Sequence, residues 1–305
     1  MSVTFKKYDE EFYCFTFEVE EEAKNIRIRK ESLEDLYYKY NNFEWRLDEN
    51  GDPIKLDLDD DDFFRKVLLL MIRSCLSLMM TCRYDTTDGR ARGNQMALPE
   101  GVFRYLKENY GLQHECFASP FNACALIGSY CSRYSDTDAP FHSKGSFFDF
   151  YPEEGVFESY PPYIEEILVQ SVRHILELLK KAEENGKPMT FFLIAPAWRD
   201  DCESYNLTKY GTEKVEKNQK ESQFFKKELQ LNKYEHFYRN GMTYKDDFKV
   251  MNSKSDSIMF VLQTSHAKPL KKDFEKEILE RWGVKSKGIK TNPNPKKRRF
   301  TSQNE

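Results

Sequence analysis

Four consecutive residues, Tyr160-Pro161-Pro162-Tyr163, bring together the groups needed to hold a flat base by an exocyclic amine. Two prolines in a row fix φ at both positions and remove two backbone donors, so carbonyl oxygens are left to accept hydrogen bonds from an NH2 group. The ring of Tyr163 can stack on the face of the base. The same residues also serve a plainer purpose, as a turn ahead of the helix predicted next. A second small-residue turn, Ala118-Ser119-Pro120-Phe121-Asn122, follows a short apolar run. It lacks glycine, and an ordinary strand-to-loop turn accounts for it equally well. Asp149 closes another apolar run, where its carboxylate could take ribose hydroxyls or simply cap the next turn.

Other catalytic chemistries find little support. The histidines (114, 142, 174, 236 and 266) show no spacing that suggests a metal or a triad. The seven cysteines (14, 75, 82, 116, 124, 131 and 202) form no CxxC pair and no Cys-His ligand set. That scatter reads as reduced thiols in an intracellular protein, with neither zinc nor disulfides expected.

Strands must end at both turns if those residues are to meet. HECFAS (114–119), FFDF (147–150) and GVFES (155–159) read as short strands. Ile164 to Glu184 has apolar residues at helical spacing, with Gly186 as a stop. Residues 189–198 and 256–264 are the strongest strands. Strands alternating with helices predict a largely parallel sheet with a ligand site at the strand carboxyl ends. Upstream, FYCFTFEVEEE alternates as a strand does, and ESLEDLYYKY has helical spacing. The acidic run Leu56 to Asp62 suits the N-terminus of a helix over 63–82. Asp85–Asn94 predicts a loop, and Ala97–Tyr110 a helix with Pro99 in its first turn. Residues 200–233 predict a long loop with a helix around FFKKELQL, and 285–305 a disordered basic tail.

Bulk properties narrow the class. With 39% hydrophobic and 32% charged residues, the 305-residue chain can bury a substantial core. A net charge of −4 excludes a globally basic nucleic-acid binder, so any such contact needs a local patch. The longest apolar run, Val67 to Met80, includes Arg73 and falls short of the roughly 20 residues a bilayer requires. A buried helix, not a membrane span, is expected there.

Several motifs in order carry a resemblance. HECFASPFN, SDTDAPFHSKGSFFDFYPEEGVFESYPPY, FFLIAPAW and YEHFYRNG resemble the phosphorylated-CTD-interacting-factor family of cap-specific adenosine N6-methyltransferases. That family's pattern runs ECFASPLN, PDTD-x-x-F-x-S-x-G, LDF, G-x-FEANPPF and IPEWRE. Order and spacing agree from about Leu98 to His266, somewhat over half the chain.

The resemblance implies an α/β fold: a Rossmann-like methyltransferase domain over 111–284, a mainly helical N-terminal domain over 1–110, and the tail 285–305. It implies S-adenosyl-L-methionine as methyl donor and capped mRNA as substrate, methylated on N6 of the cap-adjacent 2′-O-methyladenosine. Ser119, Pro120 and Asn122 would lie beside the cofactor, with Asp149 further along; Pro161, Pro162 and Tyr163 would hold the adenine. Tyr160 stands at the catalytic position where the family has Asn or Asp, and Ala197 where it has Glu before the tryptophan. A short carboxamide there accepts one amine hydrogen while a proline carbonyl accepts the other, and a tyrosine hydroxyl sits several ångströms too far out. Three readings stay open: an active enzyme with an altered clamp, an inactive relative that binds capped RNA or a protein, and a methyltransferase of another substrate.

Arg133, Lys144, Arg199, Lys226 and Lys227 are candidate RNA contacts, each also readable as a solvated charge. The three tryptophans (45, 198 and 282) are isolated, so no WW module is expected, and binding of the RNA polymerase II C-terminal tail loses its obvious mechanism. Pro295-Lys296-Lys297-Arg298-Arg299 has the look of a nuclear import signal and suits a nonspecific phosphate-binding arm equally; given the resemblance a nuclear address is expected, with a cytoplasmic one as the alternative.

Overall fold

A computed structural model describes residues 3–19, 22–42, 56–81, 96–199, 202–241 and 250–284. The loop at 85–94, Trp45 and the basic tail therefore fall outside the described residues.

The alternating pattern near the N-terminus forms a three-stranded antiparallel meander of β1 (Val3–Lys7), β2 (Phe12–Val19) and β3 (Glu22–Arg29). Side chains of period two put Tyr13, Phe15 and Ile28 on its inner face. Two helices, α1 (Lys30–Tyr40) and α2 (Asp61–Thr81), close a core over that face with Leu33, Leu36, Phe63, Phe64 and Val67. The acidic run caps α2 as expected, because Asp60 Oδ1 accepts the Phe63 N–H at 2.9 Å. The N-terminal part thus adds an unpredicted meander to its helices.

After β4 (Met96–Ala97) comes α3 (Glu100–Tyr110), which starts behind Pro99 and ends at Gly111 with φ 79°. There follow β5 (His114–Ala118), β6 (Tyr130–Ser132), α4 (Ser135–Asp138), β7 (Gly155–Ser159), α5 (Glu165–Glu184) and β8 (Met189–Pro196). The chain continues through α6 (Glu203–Tyr210), β9 (Phe225–Leu231), β10 (Phe237–Asn240), β11 (Val250–Asn252), β12 (Ser257–Gln263) and α7 (Phe274–Arg281).

Six strands form the central sheet in the order β6-β5-β7-β8-β12-β9. The first four are parallel, and β12 is antiparallel to both β8 and β9. Five strands therefore run one way and only β12 runs back, close to the largely parallel sheet that the sequence predicts. Every residue of β8 and β12 is buried, as strands covered on both faces must be. Leu168, Val172, Ile175 and Leu179 of α5 cover one face. Val102, Phe103, Leu106 and Tyr110 of α3 share the other with Phe192, Ile194, Met259 and Trp282. The core consequently does not divide at residue 110.

Two expectations fail. Phe147–Asp149 is a turn of 3-10 helix and not a strand: the Ser146 hydroxyl accepts the Phe148 N–H at 3.2 Å, and Phe147 packs against Phe117 and His174. FFKKELQL is strand β9 and not a helix. Leu229 and Leu231 are buried while Gln230 between them is exposed, a period of two that the three charges had masked. No described helix is long and apolar enough to cross a membrane.

Candidate active site

Both chemistry-bearing turns leave the carboxyl ends of neighbouring parallel strands, β5 and β7. The turn after β5 is tied together by its own side chains. Asn122 Oδ1 accepts the Ser119 N–H at 2.7 Å and the Ser119 hydroxyl at 3.0 Å. The Ser119 carbonyl accepts the N–H groups of Asn122 and Ala123 at 3.1 and 2.9 Å. The Asn122 carboxamide thus shapes the turn from within. Two carbonyls on the turn meet cations from distant segments: Pro120 O accepts Lys39 Nζ at 2.7 Å, and Asn122 O accepts the Arg239 guanidinium. Lys39 and Arg239 carried no sequence signal, since their partners are backbone oxygens 81 and 117 residues away. Asp149 ends exposed on its 3-10 turn, which lies against Phe117 of β5.

At the second turn Pro161 is buried and Pro162 exposed. The Pro162 carbonyl accepts the Ile164 N–H at 2.7 Å, whereas the Pro161 carbonyl accepts no hydrogen bond among the described residues. Tyr160 turns inward. Its ring stacks on Tyr238 with centroids 5.1 Å apart and meets Tyr163 edge-on at 5.7 Å. Its hydroxyl is buried beside the Tyr163 and Tyr238 phenols, near enough to interact with both but without a well-formed hydrogen bond.

Tyr163 and Tyr238 both donate to Ser257 Oγ, at 3.2 and 3.0 Å. Those two bonds fill the oxygen's lone pairs, so Ser257 donates its own proton to His236 Nε2 at 3.3 Å. That assignment is consistent, because His236 Nδ1 lies 2.7 Å from the Asn232 carbonyl and must carry the hydrogen. Burial lowers the His236 pKa and keeps the ring neutral. Burial likewise raises the phenols of Tyr160, Tyr163 and Tyr238, so all three stay protonated. On its outer side Tyr163 meets Trp198, 44% exposed, at 6.3 Å.

Below the turns, Glu115 of β5 and Glu158 of β7 stand opposite each other in register, 3% and 2% exposed. Glu115 Oε1 accepts the Cys124 N–H at 2.6 Å and feels Arg239 and Lys39. Desolvation raises both carboxyls, and the neighbouring Glu115 raises Glu158 further, so the pair holds a proton well above the usual carboxylate range. Sequence reasoning missed this pair; the glutamates interrupting two apolar strands were the available signal.

The five candidate RNA contacts do not converge. Arg133 leaves the end of β6 with its guanidinium over Tyr134, and exposed Lys144 pairs by backbone with Tyr130. Lys226 and Lys227 lie on β9, the opposite edge of the sheet; Lys226 bonds the Gln223 carbonyl and Lys227 pairs with Glu275 at 2.6 Å. Arg199 reaches Gln230 at 2.8 Å and Glu228 at 3.2 Å. Among the described residues no group of His, Cys, Asp or Glu could hold a metal ion.

Comparison with known proteins bears on this arrangement. The mRNA (2′-O-methyladenosine-N(6)-)-methyltransferase of Homo sapiens is 37% identical over 206 residues, 63% of this chain and 27% of that protein. Its Mus musculus counterpart is 37% identical over 149 residues, 49% of this chain and 19% of that protein. The chain therefore spans about a quarter of the length of these relatives or less. A family model described as the phosphorylated CTD interacting factor 1 WW domain matches residues 70–241, a span that holds one tryptophan, Trp198, and includes the strands from β5 to β9. With more than half of its residues matched, this chain belongs to the phosphorylated CTD interacting factor 1 family.

Proposed function

We propose that the chain is an S-adenosylmethionine-dependent adenine N6-methyltransferase acting on mRNA, with cap-adjacent 2′-O-methyladenosine as the acceptor. The observation that carries this reading is the juxtaposition of the two turns at the carboxyl ends of β5 and β7. The chain steps from β5 out to β6 and then crosses back over β5 to β7, so the strand order reverses between β5 and β7, which is where open α/β sheets bind ligands. The largely parallel sheet, with only β12 reversed, is consistent with a Rossmann-like methyltransferase. Human and mouse relatives named for this reaction support the substrate. The reading also places the protein in the nucleus, through the basic tail, and near the phosphorylated polymerase tail that names the family.

The residues present suit the cofactor. A preformed turn at Ser119–Asn122 offers backbone approach, Asp149 leaves an exposed carboxylate for ribose hydroxyls, and the Pro161 carbonyl remains free for the acceptor amine. S-adenosylmethionine supplies an electrophilic methyl group bonded to a sulfonium. The protein's part is to aim the amine. The Pro161 carbonyl accepts one N–H and so points the nitrogen lone pair, while Tyr163 and Trp198 flank the base. With Tyr160 turned into the core, the second acceptor of a two-point clamp is missing. Transfer should therefore be slow, since one lost positioning contact costs about 10²-fold. No general base is needed, because the amine proton can leave after attack.

Calorimetric titration with S-adenosylhomocysteine, followed by methyl transfer to RNA capped on 2′-O-methyladenosine, tests this reading. Micromolar binding is expected, with slow turnover that rises at least tenfold in Tyr160→Asn. A folded protein that binds no S-adenosylhomocysteine would sink the proposal. Binding without turnover in either form would leave the inactive-relative reading that Tyr160 favours.

A further inference from the structure

We infer that Lys39 and Arg239 are positioning residues that clamp the cofactor turn from two sides, making helix α1 part of the cofactor site. This rests on the methyltransferase reading above. Lys39 is fully buried, with 0% exposure, although it belongs to the N-terminal helix and not to the sheet. An ammonium group out of water must be paired. Its partners are the Asp35 carboxylate at 2.7 Å and the Pro120 carbonyl at 2.7 Å. From β10, in the small sheet with β4 and β11, Arg239 donates to the Asn122 carbonyl.

These two bonds fix the peptide planes that follow Pro120 and Asn122, one on each side of Phe121. Hydrogen bonds from charged donors are stronger than neutral ones. Meanwhile the turn's inner amides are held by Ser119 and by Glu115, on which both cations also act. The turn is thus held in one conformation before any ligand arrives. A ligand seated on it avoids the ordering cost that a loose loop would impose. Without the clamp, two buried carbonyls lose their donors and the turn acquires alternatives. The effect should appear in cofactor affinity and not in the chemical step, since neither cation reaches the Pro161 carbonyl.

The experiment compares the full chain with Lys39→Met, Arg239→Met and Arg239→Lys. Each is titrated with S-adenosylhomocysteine, melted, and assayed for KM of S-adenosylmethionine and kcat on capped RNA. Lys39→Met and Arg239→Met are expected to raise the S-adenosylhomocysteine Kd and the cofactor KM about tenfold each, with kcat at saturating cofactor within about twofold. Arg239→Lys, which keeps a cation, should recover most of the affinity. A merely structural role would lower Tm without separating KM from kcat. Folded Lys39→Met and Arg239→Met proteins with wild-type Kd would overturn the clamp while leaving the methyltransferase reading intact. A wild-type chain that bound no S-adenosylhomocysteine would instead remove both. Should Lys39→Met fail to fold, Asp35→Asn removes the ammonium's exposed partner, and an unchanged Kd there and in Arg239→Met counts against the clamp.

Discussion

A buried phenol hydroxyl wholly without a partner costs about 1–3 kcal/mol, and Tyr160 carries one that is poorly paired between the Tyr163 and Tyr238 phenols, so its cost falls at the low end of that range. Tyr160→Phe removes that oxygen and keeps the ring stacked. It should therefore raise stability by about 1 kcal/mol, read as an increase in the urea midpoint with unchanged slope. Tyr160→Asn works in the opposite direction on stability. Truncating a ring packed against Tyr238 should cost about 2–4 kcal/mol, while under the function proposed above the short carboxamide would supply the second acceptor for the amine. A variant that becomes less stable and more active would show that position 160 trades the clamp for packing. Loss of both stability and activity would mean that the turn itself depends on the tyrosine. The departure at 160 was legible in the sequence as a residue type. The inward rotation of its ring was not, because Tyr238, the surface it stacks on, lies 78 positions along the chain and shows no local pattern with it.

Strands β5, β6 and β7 carry buried ionisable groups whose titrations oppose each other. His114 lies between Ser129 at 2.8 Å and Cys131 at 3.2 Å, stacked on Phe150 at 4.3 Å. Burial first and the Lys144 charge second push it down to about 4 from 6.5. The unfolded chain binds that proton earlier, so this contribution is complete above pH 6.5 and fades as pH falls toward 4, by about 3 kcal/mol. Replacing His114 by Phe should flatten the acid limb of a denaturation midpoint followed from pH 7 to pH 4.5. For Glu115 the sign reverses. Its folded pKa is raised by burial, so its favourable share is full below the ordinary value of 4.5 and is lost as pH rises above it. Glu115→Gln keeps an acceptor for the Cys124 N–H and removes the titration. Its stability relative to wild type should be greater at pH 8 than at pH 5, and equal differences at both would refute the assignment.

The same scale shows what a sequence can disclose. Apolar runs such as 189–196 and 257–263 declare buried strands outright, and α5 declares itself by its period. Short strands such as β6 and β10 carry three or four residues and no usable period; β9 hides its alternation under Lys226, Lys227 and Glu228. The two turns could be read because proline and small residues act locally. Lys39, Arg239 and Ser257 could not, since their partners are set by tertiary packing.

For the whole molecule, the decisive fact is that the N-terminal core is finished by residues from the sheet-bearing part. Phe121, on the Ser119–Asn122 turn, and Phe141 are 8% and 0% exposed within a cluster whose other members include Tyr13, Phe15, Leu33, Leu36, Phe63, Phe64 and Val67. The seam is reinforced by Lys39 on Pro120, by His142 Nε2 3.3 Å from the Tyr40 carbonyl, and by the Arg73–Asp136 ion pair. A chain beginning at residue 96 would uncover both phenylalanines and leave the Pro120 carbonyl without its donor. Each ring returned to water forfeits roughly 1.5–3 kcal/mol, a large share of the 5–15 kcal/mol that stabilises a typical domain. Such a chain should melt well below the full one and show faster amide exchange at residues 119–124, even though the six-stranded sheet itself is complete. Equal melting temperatures would mean that the meander and α1–α2 fold as a detachable unit. Loss of protection confined to 119–124 would show that the N-terminal layer acts first on the Ser119–Asn122 turn, and only then on the sheet behind it.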